Sequence, residues 1–372
     1  MPFWKIMNDL VSNIRILQED SNITLLTASY DRSVILMDDT GKIRRKILVD
    51  SPIELDSLET IPVAVRKLDD LRMIFIGCSL GGKKIYGLSP DFEIIFQRSI
   101  PDSGGVIFLK KACLKKDRDL ILVGVPSRLL ILEVVNNDIV VKEINLEGIP
   151  IDGYICENDI LIVAEVFSQF VTVFKLDSTP PKILHMFKLN ANPAAIYPIQ
   201  RNSELELVIA DREGRISLRK LNGEKIWSQH LFEPIMWRDI HINDLDGDGI
   251  NEIILGSQKG EEDVSKKTIS SLFLLDLNTG TVKYKASLKG WVKDIKILEF
   301  KDKKTLLVAA GKRLYHYTCS DKKLEIISVH KFDKAIWRLD ALKMNNTYFI
   351  GMGFAEGEVG LGEITPESNI EI

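Results

Sequence analysis

Short apolar runs recur along the whole chain at a regular spacing, and this repeat limits the fold more than any other feature. The runs are rich in Val, Ile, Leu, Phe and Tyr, and turns of Asp, Asn, Gly and Ser separate them, which is typical of strands. One apolar residue near the start of each unit serves as its anchor, and successive anchors lie 41 to 55 residues apart. The eight anchors are Ile14, Val65, Leu109, Ile151, Ile196, Trp237, Val292 and Trp337.

One unit shows how many strands each repeat contains. Between Asn192 and His230, strand patterns occur at residues 195–199, 205–210, 216–221 and 225–229. Four strands in roughly 40 to 50 residues make one blade of a β-propeller. We therefore predict an all-β fold in which residues 1–372 form a single closed β-propeller with eight four-stranded blades.

Turns and an insertion agree with this scheme. The longest gap between anchors contains the polar stretch 256–267, which we interpret as an inserted loop. Seven blades are the alternative, if the unit 109–144 or the unit 151–189 is irregular. Three tight turns fall between the third and fourth strands of their units, where a hairpin needs a residue at positive φ, namely Asp39-Thr40-Gly41, Asn222-Gly223 and Asn278-Thr279-Gly280.

The last unit is one strand short. Three strand patterns, at 337–342, 348–354 and 359–364, precede the final eight residues. An open ring would leave an unpaired strand edge, which is a route to aggregation. We therefore predict that the N-terminal segment Phe3 to Met7 supplies the fourth strand and closes the last blade, with the tail Asn369 to Ile372 as the alternative.

Composition and charge exclude several classes of protein. The chain is 45% hydrophobic and 27% charged, which is ordinary for a globular protein and excludes disorder as the default. Its 49 basic and 53 acidic residues give a net charge of -4, so no global field attracts nucleic acid or membrane. The four cysteines form no CxxC pair, and no segment approaches the roughly 18 apolar residues of a membrane helix. We expect a soluble, cytoplasmic protein without a membrane partner.

The third strands and their turns resemble a known superfamily. The patterns DRSVILMDDTGK at 31–42, DREGRISLRKLNGEKIW at 211–227 and LFLLDLNTGTVKY at 272–284 are similar to quinoprotein-like and WD40-like propellers. The chain has no vicinal cysteine pair of the kind found in quinone-dependent dehydrogenases and no regular GH and WD dipeptides. The resemblance therefore implies a fold and no particular activity.

A loop in the sixth unit carries clustered acidic residues. The segment HINDLDGDGINEIILGS at 241–257 resembles the FG-GAP and VCBS repeats of integrin α-chain propellers, which bind calcium between their first and second strands. Clustered oxygen ligands suit Ca²⁺, although the same carboxylates can instead accept hydrogen bonds from turn amides. Because only one unit carries the motif, 244–252, we expect a structural role for the ion. The predicted ligands are Asp244, Asp246, Asp248, the Ile250 carbonyl and Glu252.

Basic residues and tryptophans recur near the starts of the first strands, which meet around one mouth of the channel. We predict that a partner binds this mouth, on the face opposite the acidic loop, because Trp and Arg are enriched at binding hot spots. The alternative is that the tryptophans fill gaps between blades and the basic groups pair with Asp239, Asp294 and Asp340. The candidate residues are Arg15, Arg66, Lys110, Trp237, Arg238, Trp291, Lys293, Trp337 and Arg338.

These features favour a binding role. We predict a non-enzymatic scaffold that binds a protein partner, such as an acidic peptide, and that acts as a monomeric propeller within a complex. A ribonucleoprotein- or nucleic-acid-associated propeller is the first alternative, since a local basic ring can contact phosphates. An enzyme with its site at the channel mouth is the second.

Overall fold

The structure is a computed structural model of the chain. It describes residues 2–19, 22–62, 72–78, 84–89, 91–100, 104–111, 120–135, 138–258, 269–301, 303–320 and 323–366. Within these ranges, the side chains of 19, 54–62, 72–73, 134–135, 138 and 236–239 also lie outside the description.

The described residues form 32 strands in eight antiparallel four-stranded sheets, with one 3-10 turn at Glu157–Asp159. The chain starts with β1 (Phe3–Lys5), and blade 1 follows with β2 (Val11–Glu19), β3 (Asn22–Ser29), β4 (Ser33–Asp38) and β5 (Ile43–Leu48). Blade 2 contains β6 (Ile53–Pro62), β7 (Arg72–Cys78), β8 (Lys84–Leu88) and β9 (Ile94–Ser99), and blade 3 contains β10 (Phe108–Lys111), β11 (Leu120–Val125), β12 (Arg128–Val135) and β13 (Asp138–Asn145). Blade 4 contains β14 (Ile149–Cys156), β15 (Ile160–Val166), β16 (Phe170–Lys175) and β17 (Lys182–Lys188), and blade 5 contains β18 (Pro193–Arg201), β19 (Glu204–Asp211), β20 (Arg215–Lys220) and β21 (Lys225–His230). Blade 6 contains β22 (Ile235–Asn243), β23 (Glu252–Ser257), β24 (Ile269–Asp276) and β25 (Val282–Lys289), and blade 7 contains β26 (Val292–Glu299), β27 (Lys304–Ala310), β28 (Arg313–Cys319) and β29 (Leu324–Lys331). Blade 8 contains β30 (Ile336–Met344), β31 (Thr347–Phe354) and β32 (Glu358–Ile364), and β1 is its fourth strand.

The blades form a closed ring. Each blade packs on the next through its own buried hydrophobic cluster, and there are eight such clusters. The cluster that joins the last blade to the first combines Val359 and Leu361 with Ile14 and Leu25. Blades 3 and 4, the two units that a seven-bladed ring would require to be irregular, each contain four paired strands. The prediction of eight blades is therefore confirmed.

The N-terminal strand closes the ring, as predicted from the sequence. Strand β1 pairs antiparallel with β32, with Phe3 opposite Gly360 and Lys5 opposite Glu358. The strand ends at Lys5, so it is shorter than the expected segment to Met7. The alternative, the tail 369–372, lies outside the described residues.

At three junctions between blades, an aromatic side chain on the fourth strand of one blade contacts a glycine of the next. The Trp4 ring lies against Gly41, the Phe187 ring against Gly223 and the Trp227 ring against Gly280. These glycines occupy the predicted turns between third and fourth strands and all have positive φ. The Trp227 indole N–H also donates a hydrogen bond to the Leu277 carbonyl at 3.0 Å. The hairpin glycine therefore serves both the turn and the contact between blades.

A matched pair of glycine substitutions separates these two requirements. Gly280 (φ +74°) and Gly247 (φ +78°) have nearly equal backbone conformations, but an added Cβ lies 2.5 Å from the Trp227 ring at Gly280 and meets nothing within 4 Å at Gly247. Both changes to Ala introduce the same left-handed strain, and only Gly280→Ala displaces the ring. In urea unfolding with chelator present, we expect Gly280→Ala to cost about 1–3 kcal/mol more than Gly247→Ala. Equal losses of stability in the two variants would show that the Trp227 ring moves aside without a cost in free energy.

The connections define two faces of the ring. Inner strands of neighbouring blades contact each other around the centre, and each inner strand is the first strand of its blade or, for blade 8, β30. We call the face where the inner strands begin the entry face and the face where they end the exit face. Turns between first and second strands lie on the exit face.

Of the predicted insertion 256–267, Gly256 and Ser257 end β23, and 259–267 lie outside the described residues.

Candidate functional site

The acidic loop lies on the exit face of blade 6, between the first and second strands as predicted. Strand β22 ends at Asn243 and β23 begins at Glu252. Gly247 and Gly249 turn the loop with φ of +78° and +84°. These backbone conformations are easily reached only by glycine.

The loop carboxylates accept hydrogen bonds from its own amides. The two Asp244 oxygens accept from the N–H groups of Gly247 at 2.8 Å and Gly249 at 3.1 Å. Asp248 accepts from the Ile250 N–H at 2.7 Å, and Glu252 accepts from the Leu245 N–H at 2.8 Å. The alternative role considered for the carboxylates, the capping of turn amides, is thus present in the structure.

A lysine that the sequence analysis did not identify lies among these carboxylates. The Lys283 ammonium, on β25, is 2.6 Å from Asp246, 2.7 Å from Asp248 and 2.8 Å from Glu252. The Asp246 and Glu252 side chains are 1% and 0% exposed, and that of Lys283 is 19% exposed. Burial alone would lower the pKa of Lys283, but its hydrogen bonds to the three carboxylates raise the pKa above its ordinary value. The Lys283 ammonium is therefore the counter-ion of the loop.

Three of the predicted ligands lie close enough to hold a metal ion. Carboxylate oxygens of Asp244, Asp246 and Glu252 are within 4.8 Å of one another. A Ca²⁺ ion binds oxygens at about 2.3–2.6 Å, so one ion can reach all three. Burial raises the pKa of Glu252, whereas the hydrogen bond from Lys283 lowers the pKa of Asp248. The buried carboxylates therefore require a cation nearby.

A cleft of 320 Å³ separates the loop from blade 7. Asp244 and Asp246 line one side, and Lys301 and Lys303 line the other. The Tyr284 hydroxyl crosses between the blades and donates a hydrogen bond to the Ser320 carbonyl at 2.7 Å. The tyrosine that follows Lys283 thus fastens blade 6 to blade 7 beside the acidic loop.

Four of the predicted mouth residues meet where blades 7 and 8 adjoin. The Lys293 ammonium lies 3.7 Å from the centre of the Trp337 ring and 5.0 Å from that of the Trp291 ring. The Arg338 guanidinium donates hydrogen bonds to the carbonyls of Lys293 and Trp337, both at 3.3 Å. Lys293 is only 7% exposed, whereas the other three are half-buried. We call Trp291, Lys293, Trp337 and Arg338 the blade 7–8 mouth.

The other predicted mouth residues are distributed differently. Lys110, in blade 3, pairs with Asp152 and lies 3.5 Å from the centre of the Tyr154 ring in blade 4. Arg15 donates to the Ile14 carbonyl at 3.1 Å. Trp237 and Arg238 are in β22, but their side chains lie outside the description, as does the whole of Arg66.

Because of a recurrent β-bulge, these residues occupy different positions along their inner strands. Inner strands of blades 1, 5, 7 and 8 contain an extra residue after their first pair, and the inner strand of blade 4 contains one after its second pair. Lys293 is the extra residue itself, Arg338 is in the first pair after the bulge, and Arg15 is two pairs further along. Spacing in the sequence does not reveal such bulges.

Two aspartates near the mouth join blades through backbone contacts. Asp294 accepts a hydrogen bond from the Leu339 N–H at 2.8 Å, and Asp340 accepts one from the Ile16 N–H at 2.7 Å. Asp294 also pairs with Lys296 at 3.2 Å. These contacts fit the alternative interpretation, in which the mouth residues serve packing between blades, and buried Lys293 fits it as well.

Within the described residues, no helix is long and apolar enough to cross a membrane. Three cysteines, Cys78, Cys156 and Cys319, are free thiols.

Comparisons with known proteins identify the fold. No protein-family model and no curated protein matches the chain. Among solved structures, it is similar to BBS1N in complex with ARL6DN, with a TM-score of 0.55 and 14% identity over 99% of this chain and 97% of that chain. It is also similar to U3-55K, with a TM-score of 0.55 and 12% identity over 97% of each chain. The dihydro-heme d1 dehydrogenase NirN in complex with DHE gives a TM-score of 0.64 and 14% identity over 87% of this chain and 66% of that chain. At 12–14% identity, these likenesses show the fold alone, and they agree with the eight-bladed β-propeller of the structure.

Proposed function

We propose that this chain is a non-enzymatic scaffold that binds a protein partner at the blade 7–8 mouth. The observation that carries the proposal is the meeting of two half-buried indoles and an arginine on the entry face, with the Lys293 ammonium 3.7 Å from one ring centre and 5.0 Å from the other. Trp and Arg contribute most to binding energy in interfaces of this kind. The cations favour acidic groups on the partner.

Three groups with possible catalytic chemistry support a non-enzymatic role, because burial holds them in unreactive states. Burial raises the pKa of the Cys78 and Cys319 thiols to about 12, so they are protonated at neutral pH. Burial lowers the pKa of His316 to about 4, which leaves the ring a poor proton acceptor.

The acidic loop has a structural role in this proposal. Asp244, Asp246 and Glu252 would hold a Ca²⁺ ion, which would tie the turn of blade 6 to the start of β23. This assignment follows the resemblance to FG-GAP and VCBS repeats, with Asp248 and the Ile250 carbonyl as further predicted ligands. The loop and the mouth lie at opposite ends of the inner strands, so the ion would stabilise a blade without touching the partner.

Charge reversal at the mouth tests the scaffold role. We expect the double change Arg238→Glu and Arg338→Glu to abolish recovery of the partner, because Arg338 of the mouth and Arg238, which the sequence predicts at the same mouth, would both become acidic and repel an acidic partner. The measurement is affinity purification from the protein's own cells followed by quantitative mass spectrometry. Lys182→Glu with Lys225→Glu is the matched control, since these exposed lysines lie on outer strands and carry the same change in charge.

The outcomes separate the candidate functions. An unchanged set of partners in a folded double variant would contradict the proposal. If nuclease removes the partners of the unaltered protein, or if their recovery falls steeply with salt, the nucleic-acid alternative is favoured instead.

A further inference from the structure

We propose that Lys283 and a divalent cation are alternative occupants of the acidic loop, so that Lys283 sets the affinity of the loop for calcium. This inference rests on the calcium site of the proposed function and assigns a role to a residue outside the motif. The Lys283 ammonium lies 2.6 to 2.8 Å from oxygens of Asp246, Asp248 and Glu252. A positively charged group therefore already contacts three of the five predicted ligands.

The two occupants exclude each other on geometric grounds. A calcium ion would lie about 2.3–2.6 Å from the same carboxylate oxygens. An ion bound to the oxygens that now accept hydrogen bonds from Lys283, at 2.6 to 2.8 Å, would lie within about 5 Å of the ammonium. Two cations at such a separation repel strongly, and the lysine must leave before the ion enters.

The Lys283 side chain is partly exposed and can reach solvent. Its side chain is 19% exposed, while its carboxylate partners Asp246 and Glu252 are 1% and 0% exposed. A lysine on a flexible stem can move its ammonium to water, whereas the buried carboxylates cannot follow. Calcium binding must therefore break three charge-assisted contacts, which weakens the apparent affinity.

Lys283→Met gives the sharpest test, because methionine keeps an unbranched stem and removes the charge. In calorimetric titration with calcium, we expect Lys283→Met to bind at least about tenfold more tightly than the unaltered protein, since no contact has to be broken. With chelator present, its melting temperature should fall, because buried carboxylates lose their counter-ion, and calcium should restore it. Lys285→Met is the matched control on the same strand, because Lys285 pairs with Glu233 at 2.8 Å and not with the loop. Its affinity for calcium should equal that of the unaltered protein.

Labelling of the unaltered protein gives a second measurement that does not depend on a variant folding. At a calcium concentration that saturates the loop, acetylation of Lys283 by an amine-reactive ester should increase relative to Lys285, as read by mass spectrometry. Unchanged or reduced labelling would overturn the inference.

The results also distinguish this inference from the calcium proposal. If Lys283→Met and the unaltered protein bind calcium with affinities within about threefold of each other, the calcium site stands and the competition is refuted. If neither binds calcium, the calcium site fails and the inference fails with it. Neither result affects the scaffold role, which depends on the opposite face.

Discussion

Deletion of residues 1–5 is expected to lower the free energy of unfolding by about 3–5 kcal/mol, the usual cost of removing a large packed aromatic group. The deletion removes Trp4, whose ring lies against Gly41 of blade 1, and the strand that covers the edge of β32. Phe3 is also lost from an aromatic group with Phe332 and Phe354, at ring-centre distances of 5.9 and 5.6 Å. This cost is a large fraction of the roughly 5–15 kcal/mol that stabilises a typical protein.

The truncated protein should also associate, because the exposed edge of β32 can pair with another chain. Urea unfolding and light scattering measure the two effects. Removal of residues 369–372 is the control, because that tail was the alternative source of the closing strand and β1 already completes blade 8. A truncated chain as stable as the intact one, or equal damage from the control, would show that β1 does not close the ring.

Most of the fold is predictable because the repeat signal is local. Seven of the eight blades are built from strands adjacent in sequence, and three of the turns between third and fourth strands contain a glycine at positive φ, namely Gly41, Gly223 and Gly280. Closure by the N-terminus was also predictable, since the last unit had three strand patterns and an unpaired edge is unfavourable. The length of β1 could not be predicted from the sequence. The strand ends where the N–H groups of Ile6 and Met7 donate hydrogen bonds to the Gly357 carbonyl, both at 3.2 Å.

The candidate sites were less predictable, because they depend on contacts across strands and blades. The acidic loop was found as a contiguous motif, but Lys283 comes from β25 and no local pattern links it to Asp246. At the mouth, the sequence predicted that Trp337 and Lys293 lie near each other, and the Lys293 ammonium is 3.7 Å from the centre of the Trp337 ring, while their role in binding stays a prediction. The sequence did not indicate that Lys293 is the extra residue of a bulge, that its ammonium lies near two indoles, or that it is only 7% exposed.

Acidification is expected to destabilise the protein through His316. Burial, followed by the charges of Lys303 and His330, lowers the pKa of His316 to about 4, from 6.5 in an unfolded chain. Because the folded pKa is depressed, the unfolded state takes up the proton first, and stability falls as the pH drops below 6.5 towards 4. Between about pH 8 and pH 5 this group alone should remove about 2 kcal/mol.

The change His316→Gln isolates this contribution. His316 is 2% exposed, and its Nε2 lies 2.9 Å from the Thr305 hydroxyl, so glutamine preserves a polar partner without a titrating ring. Urea unfolding at several pH values should show a profile flatter than that of the unaltered protein by about 2 kcal/mol between pH 8 and pH 5. His185→Gln is the control, since it makes the same change of residue at an exposed position on β17. If His316→Gln retains the full acid sensitivity, the loss of stability must arise from other groups, and NMR titration of the His316 ring would then give an ordinary pKa.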